Sequence, residues 1–485
     1  MHSKIKLFFL LFPLFIAEVS SAQEPYNELN FRKDSIFIRE IFNQALSEGE
    51  SYQNLQSLCK DIGSRLAGSA EAEMAVQWGK QKMDNYKFDN VYLQEIKVPH
   101  WIRGTKESGW FQGKDGKFNK IKVLALGGSI GTDGLLEGEL VLFNTREELL
   151  NAKSKDVAGK IVFLNQAMDE KLITTFEAYG GCYPVRGRSA IDASILGAKA
   201  VIIRSLSLSN HTHPHTGSMQ YEDSITKIPA AAISTNDADQ LALFYKSNKK
   251  VNFYLEMNCK KMPDKISYNV IGELKGNEFP DEIICLGGHL DSWDVGEGAH
   301  DDGAGIVHCL EALRILKQMD YQPTHTLRLV FFMNEENGNM GGITYAKVAK
   351  ENNQKHIAAL ESDRGGFTPR GFSCDGNEKY VELIQSFERV LNPYELHKFE
   401  KGYGGVDIGP LKNEFPDIPL FGFVPDSQRY FDFHHNENDV FEHVNKRELE
   451  LGSASIASFI YLLDKTLKQF LKRSPRKLYS IFFVN

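Results

Sequence analysis

Histidines and carboxylates recur at short spacing along the second half of this chain. His289 and Asp291 lie in Gly287-Gly288-His289-Leu290-Asp291, and Asp301 in His300-Asp301-Asp302-Gly303. Glu335-Glu336 follows, then Asp363 in Glu361-Ser362-Asp363, then His434-His435 ahead of Asn436-Glu437-Asn438-Asp439. Imidazole and carboxylate together suit zinc, and one carboxylate can bridge two metals. Adjacent acids such as Glu335-Glu336 repel unless a cation neutralises one of them. Each piece alone has an ordinary explanation. A His-x-Asp pair is often a simple hydrogen bond, Asp301-Asp302 suits a helix N-terminus, Glu335-Glu336 suits a solvated loop, and His434-His435 sits beside Tyr430, Phe431 and Phe433. All five fall at element boundaries, however, and together they argue for a metal centre.

The elements that must position these residues are legible as hydrophobic patterns. Residues 282–286 and 326–333 are nearly continuous apolar runs, as expected of strands covered on both faces. Residues 303–316 between them are amphipathic and predict a helix, giving a βαβ-like unit. Ligands in such sheets bind at strand ends, where the five features fall. Upstream, 30–60 and 70–85 carry helical periodicity, with Ser69 placed to cap the second helix. Residues 90–98 alternate and predict a strand ending at Pro99. From about Gly127 the texture changes. Short β-like runs (139–143, 160–164, 200–203 and 251–255) and one helix (189–197) suggest a compact inserted module of about 130 residues. The fold class expected is α/β: a central mixed, mostly parallel sheet flanked by helices, plus an inserted β-rich domain.

A chain of 485 residues, 42% hydrophobic and 25% charged, can bury more than one core. The net charge of −8, without a strongly basic domain, gives nucleic-acid binding no support. Lys4 and Lys6 precede an apolar run over 7–17, and Ser20-Ser21-Ala22 follows. That is the layout of a secretory signal peptide over residues 1–22, with a run too short to span a bilayer comfortably. An exported protein is expected (secreted, periplasmic or vesicle-lumenal), without stable membrane insertion after cleavage. The six cysteines show no CxxC spacing; Cys285 and Cys309 lie in apolar runs and read as buried thiols. No zinc–thiolate site is expected. The basic stretch 468–477 reads as a solvated end.

The order and context of these motifs resemble the co-catalytic dizinc aminopeptidase and carboxypeptidase superfamily, and within it the carboxypeptidase Q branch. Besides the five features, Ser64-Arg65-Leu66-Ala67-Gly68-Ser69, Pro99-His100-Trp101, Pro214-His215-Thr216-Gly217 and Lys227-Ile228-Pro229-Ala230 carry the resemblance. It implies a catalytic domain split over 23–122 and 257–470, a protease-associated-type insert over 123–256, and a tail over 471–485. It further implies two zinc ions, one held by His289, Asp301 and Asp363, the other by Asp301, Glu336 and His435. Asp301 would bridge them, Glu335 would be the general base, and Asp291 would orient His289. His434, where some relatives place a tyrosine, is a candidate oxyanion donor. The implied substrates are short unblocked peptides, foremost dipeptides, and a homodimer is implied by kinship alone. Aminopeptidase action on longer peptides, single-zinc glutaminyl cyclisation and a non-catalytic binding module are the alternatives. The loop 402–407 resembles a substrate loop but carries Val406 where relatives have a small hydroxyl residue, which leaves fine specificity open. His211, His213 and His215 read as a loop near the active-site mouth rather than a metal site, since no carboxylate cluster accompanies them in sequence.

Overall fold

The computed structural model describes residues 28–248 and 250–471. The expected signal peptide and the tail beyond residue 471 lie outside the described residues.

Eight strands form the first sheet: β1 (Asn90–Ile102), β2 (Lys260–Leu274), β3 (Phe279–His289), β4 (His325–Phe332), β5 (Lys355–Glu361), β6 (Pro369–Asp375), β7 (Lys398–Lys401) and β8 (Leu420–Pro425). Their order is β1-β2-β4-β3-β5-β8-β6-β7. The four central strands β4, β3, β5 and β8 run parallel. β1 and β2 on one side, and β6 against β8 on the other, are antiparallel. Every residue of β4 is buried, and strand alternation explains how. Leu327, Leu329 and Phe331 enter one apolar layer while Val330 and Phe332 enter the opposite one.

Helices α1 (Glu28–Glu48), α2 (Ala70–Asn85), α3 (Thr175–Ile195), α4 (Ala304–Gln318), α5 (Met340–Glu351) and α6 (Lys446–Leu471) pack on the two sheets, and a further helix spans Thr235–Ser247. α1, α2, α4 and α6 contribute to the larger layer, through residues such as Ile38, Val76, Leu310 and Phe459. α5 covers the other face with Tyr345 and Ala346. Ser69 caps α2 as expected: its Oγ accepts from the Ala72 amide at 3.0 Å.

The second sheet also has eight strands, and α3 packs against it. It contains all four expected runs, as Leu136–Phe143, Ile161–Leu164, Ala200–Arg204 and Asn252–Met257. It also takes in the hairpin Glu107–Gln112 and Phe118–Ile121, ahead of residue 123, because Glu107–Gln112 pairs antiparallel with Asn252–Met257. α3 begins well before the expected 189. Gly180, Gly181 and Pro184 break the helical pattern in sequence, but eleven buried residues, Val185 and Ile191 among them, hold the helix by packing.

Candidate metal centre

Each central strand ends in one of the polar motifs. His289 is the last residue of β3, Asn334-Glu335-Glu336 follows β4, Asp363 follows β5, and His434-His435 follow β8 and a short helical turn. Asp301 arrives from the turn that opens α4. Side chains that could not share an apolar core are thus brought to one rim by parallel pairing.

Asp301 lies at the middle. Its Oδ1 is 3.2 Å from His289 Nε2, and its Oδ2 is 3.2 Å from His435 Nε2. His289 Nε2 also faces Asp363 Oδ1 at 3.6 Å, and His435 Nε2 faces Glu336 Oε2 at 2.9 Å. The two oxygens of one carboxylate therefore face two separate sets of donors. His434 stacks on His435 with ring centres 3.5 Å apart, and its Nε2 lies 3.7 Å from Asp301 Oδ2. Among the described residues the donors group within 4.8 Å as Asp301, His434 and His435; as His289, Asp301 and Glu336; and as His289, Asp302 and Asp363. Asp302, which sequence did not single out as a ligand, is engaged with backbone: its carboxylate accepts from the His289 amide at 3.1 Å and the Gly305 amide at 3.0 Å. That close seating needs glycine, since a Cβ on Gly288 would lie 2.1 Å from Asp302 Oδ2.

Asp291 works differently from the expectation. His289 Nδ1 lies 2.9 Å from the Asp291 backbone carbonyl, while the carboxylate Oδ1 is 3.8 Å away. The carboxylate instead accepts from the amides of Asn334 (2.7 Å), Glu335 (3.0 Å) and Glu336 (3.3 Å). It fastens the turn after β4, and the carbonyl fixes the imidazole. Asp439 does the same for the Asp301 turn, accepting from the His300 amide at 2.7 Å and the Asp301 amide at 3.1 Å. Glu361 holds the loop 402–407 through the Val406 and Ile408 amides at 2.8 and 2.9 Å. Fully buried Arg65 ties the segment after β3, donating to the carbonyls of Leu290, Glu297 and Gly298.

The loop of three histidines meets this centre from the second sheet's side. The Thr216 amide donates to the His435 carbonyl at 2.9 Å, and His435 Nδ1 lies 3.3 Å from the Thr216 carbonyl. His215 Nε2 contacts Asn436 Nδ2 at 2.9 Å and His211 Nε2 at 3.0 Å, while His213 Nδ1 faces Glu437 Oε1 at 2.5 Å. His435 itself has a φ of +64°, a backbone state that non-glycine residues hold only when their surroundings enforce it.

Burial governs the protonation of the cluster. It pushes Glu335 well above the usual carboxylate range, although His289 pulls the other way, with Glu336 and Asp363 adding to the rise. It raises Glu336 to about 7 and lifts Asp363 as well. For Asp301 burial acts in the same direction, but hydrogen bonds from His289 and His435 outweigh it and hold the carboxyl well below its usual value. Burial depresses His434 strongly, with His435 next to it adding to the effect. Asp301 Oδ2 has only imidazole nitrogens facing it, and buried Glu336 Oε1 makes no hydrogen bond. Buried carboxylate oxygens, imidazole nitrogens turned towards them and no thiolate make a donor set that fits zinc.

A cavity of about 820 Å³ opens over the cluster. Its wall includes Asp301, Glu335, Glu336, Asp363, His434 and His435 on one side, and Phe176, Tyr179 and Arg186 from α3 on the other. Tyr403 and Val406 of the loop 402–407 also line it.

Residues 269–460 match the family model described as Peptidase family M28. Carboxypeptidase Q of Bos taurus is 31% identical over 430 residues, 88% of this chain and 88% of that protein. Aminopeptidase YwaD of Bacillus subtilis is 25% identical, over 86% of this chain and 85% of that one. The crystal structure of a Peptidase M28 precursor from Shewanella amazonensis superposes with a TM-score of 0.85 at 33% identity, covering 90% of this chain and 97% of that one. Relatives this similar along almost their whole length settle the kinship: the chain belongs to peptidase family M28 and is a zinc metallopeptidase.

Proposed function

We infer that the centre takes two zinc ions, one among His289, Asp301 and Asp363, the other among Asp301, Glu336 and His435. The chain is then an exported carboxypeptidase Q-like peptidase of short unblocked peptides, dipeptides foremost. The observation that carries this reading is Asp301, whose two oxygens face His289 and His435 at 3.2 Å each. A single-zinc cyclase would have no use for that second set.

Zinc bound there would polarise a scissile carbonyl and acidify a water. The remaining work falls to the chain's own residues. Glu335, half-buried at the cavity wall with its amide on Asp291, takes the proton of the attacking water and returns it to the leaving amine. His434, kept neutral by burial, carries one N–H towards the oxygen on which charge develops. The second sheet's domain acts as a protease-associated-type insert that walls the cavity through α3 and limits its reach to short chains.

The test compares the zinc-loaded enzyme with Glu335→Gln on unblocked dipeptides, N-blocked dipeptides and longer peptides, with metal measured on both. Cleavage of unblocked dipeptides, about two zinc ions on each protein and a rate at least about 1,000-fold lower in the variant are expected. Preference for longer peptides would make the enzyme an aminopeptidase. Metal without any hydrolysis would end the peptidase reading.

A further inference from the structure

Arg186 is a cation at the centre without an anion of its own. It comes from α3 and is only 4% exposed, yet it lines the cavity. Its guanidinium lies 5.4 and 5.2 Å from the ring centres of Tyr179 and Tyr183. Nη2 donates to the Tyr179 hydroxyl at 2.5 Å, and Nη1 reaches the Thr216 carbonyl at 3.4 Å. Nη1 also sits 3.3 Å from His435 Nδ1. Once that nitrogen keeps its proton for the Thr216 carbonyl, it accepts nothing from the arginine. Nε is buried with no partner. Among the described residues Arg186 makes no ion pair. Gly217 is shaped to it, since a Cβ there would stand 2.4 Å from Cζ.

Support of the Thr216 carbonyl alone would not call for this residue. A neutral amide could donate that bond without bringing a charge out of water. A buried guanidinium lacking a counter-charge is costly, and two aromatic rings offset only part of the cost. The missing term is an anion that arrives with the substrate. Its identity follows from distance. The guanidinium is one imidazole ring away from His435 Nε2, the nitrogen facing Asp301 and Glu336. In a dipeptide the terminal carboxylate lies only a few covalent bonds beyond the scissile carbonyl. The planar fork of arginine matches a carboxylate better than any other side chain does.

We propose that Arg186 receives the terminal carboxylate of the substrate and so selects peptides in which a single residue follows the scissile bond. This rests on the peptidase reading above and names the group that sets its substrate class. In longer peptides a neutral amide takes that place and gains far less. Arg364, Lys398 and Lys401 also line the cavity, and Lys401 pairs with Glu378 at 2.7 Å while Lys398 lies on the exposed rim strand β7. Arg364 is the nearest of these to the cluster. It already donates to the Tyr403 carbonyl at 3.1 Å and has Asp363 beside it.

Alanyl-leucine and alanyl-leucinamide separate the possibilities. Both are titrated calorimetrically into zinc-loaded Glu335→Gln protein, with and without Arg186→Gln, and both are offered to the enzyme that retains Glu335. With Arg186 present the acid should bind and react about 10- to 100-fold better than the amide, the range of a hydrogen-bonded charge pair. In Arg186→Gln the two peptides should come to near parity, with zinc content unchanged and the protein folded. If Arg186→Gln does not fold, Arg186→Lys, which keeps the charge and loses the fork, should show an intermediate preference. A preference that persists in the variant, or that is absent from the parent, overturns the assignment. Should neither peptide be hydrolysed, the peptidase reading falls, and the calorimetric comparison decides the role of Arg186 alone.

Discussion

At the scale of single residues, the groups that the fold brings together at the centre were the legible ones. His289, Asp301, Glu335, Glu336, Asp363 and His435 announce themselves because their side chains have no other reason to stand at the ends of buried strands. What the residues around them do was not legible, even where their motifs stood out, because their partners are backbone atoms brought near only by the fold. Asp439, Arg65 and Asp302 bond to amides and carbonyls, which every residue type supplies equally. Asp291 shows the difference most clearly: the resemblance implied that it orients His289, and the atom that does so is its backbone carbonyl, 2.9 Å from the imidazole. The carboxylate has instead three amides of the β4 turn to satisfy, and it goes to them. Asp291→Ala should therefore leave buried amides without acceptors and cost about 3 kcal/mol of stability. It should also weaken zinc binding about 10- to 100-fold through the displaced Glu336. Melting curves and zinc titration measure the two losses, and Asp291→Asn, which keeps an acceptor oxygen, should lie between the variant and the parent.

At the scale of elements, the strands and α4 could be read from apolar runs, whereas only the end of α3 from about residue 189 could, because glycines and a proline interrupt its earlier pattern. The packing of α6 on α4 contains a second feature invisible to periodicity. Glu450 of α6 is buried, with one oxygen accepting from the Tyr52 amide at 3.2 Å and the other unpartnered. Burial, reinforced by Glu311, pushes its carboxyl up to about 7, while the Tyr52 amide, Ser51 and Lys446 pull it down. The sign follows directly. A raised folded value means that the folded protein holds the proton more tightly than the unfolded chain. This contribution to stability is complete below the unfolded value of 4.5 and is lost as pH rises through about 7. Glu450→Gln should abolish the decline and make the zinc-loaded enzyme more stable at pH 8 by up to about 3 kcal/mol. Chemical denaturation at pH 5 and pH 8 checks it; an equal gain at both values would refute the titration.

At the scale of the whole molecule, the contacts between the two sheets' domains reach into the centre at His435. His435 follows β8, yet its carbonyl and its Nδ1 both face Thr216 of the second sheet's domain. The second sheet is therefore part of the centre rather than an ornament beside it, and α3 closes one wall of the cavity. Folded proteins should resist the enzyme. Cleavage of a peptide series should drop steeply once chains outgrow a space of about 820 Å³, measured as kcat/KM against length. Efficient digestion of a native protein would show that the wall moves aside.

All six cysteines are unpaired and buried. Burial raises the thiols of Cys59, Cys182, Cys259, Cys285, Cys309 and Cys374, so little thiolate forms at neutral pH. Among the described residues the fold is therefore held by packing, hydrogen bonds and ion pairs rather than by cross-links. Its thiols, shut away from solvent, are poor targets for oxidants in whatever compartment receives the protein.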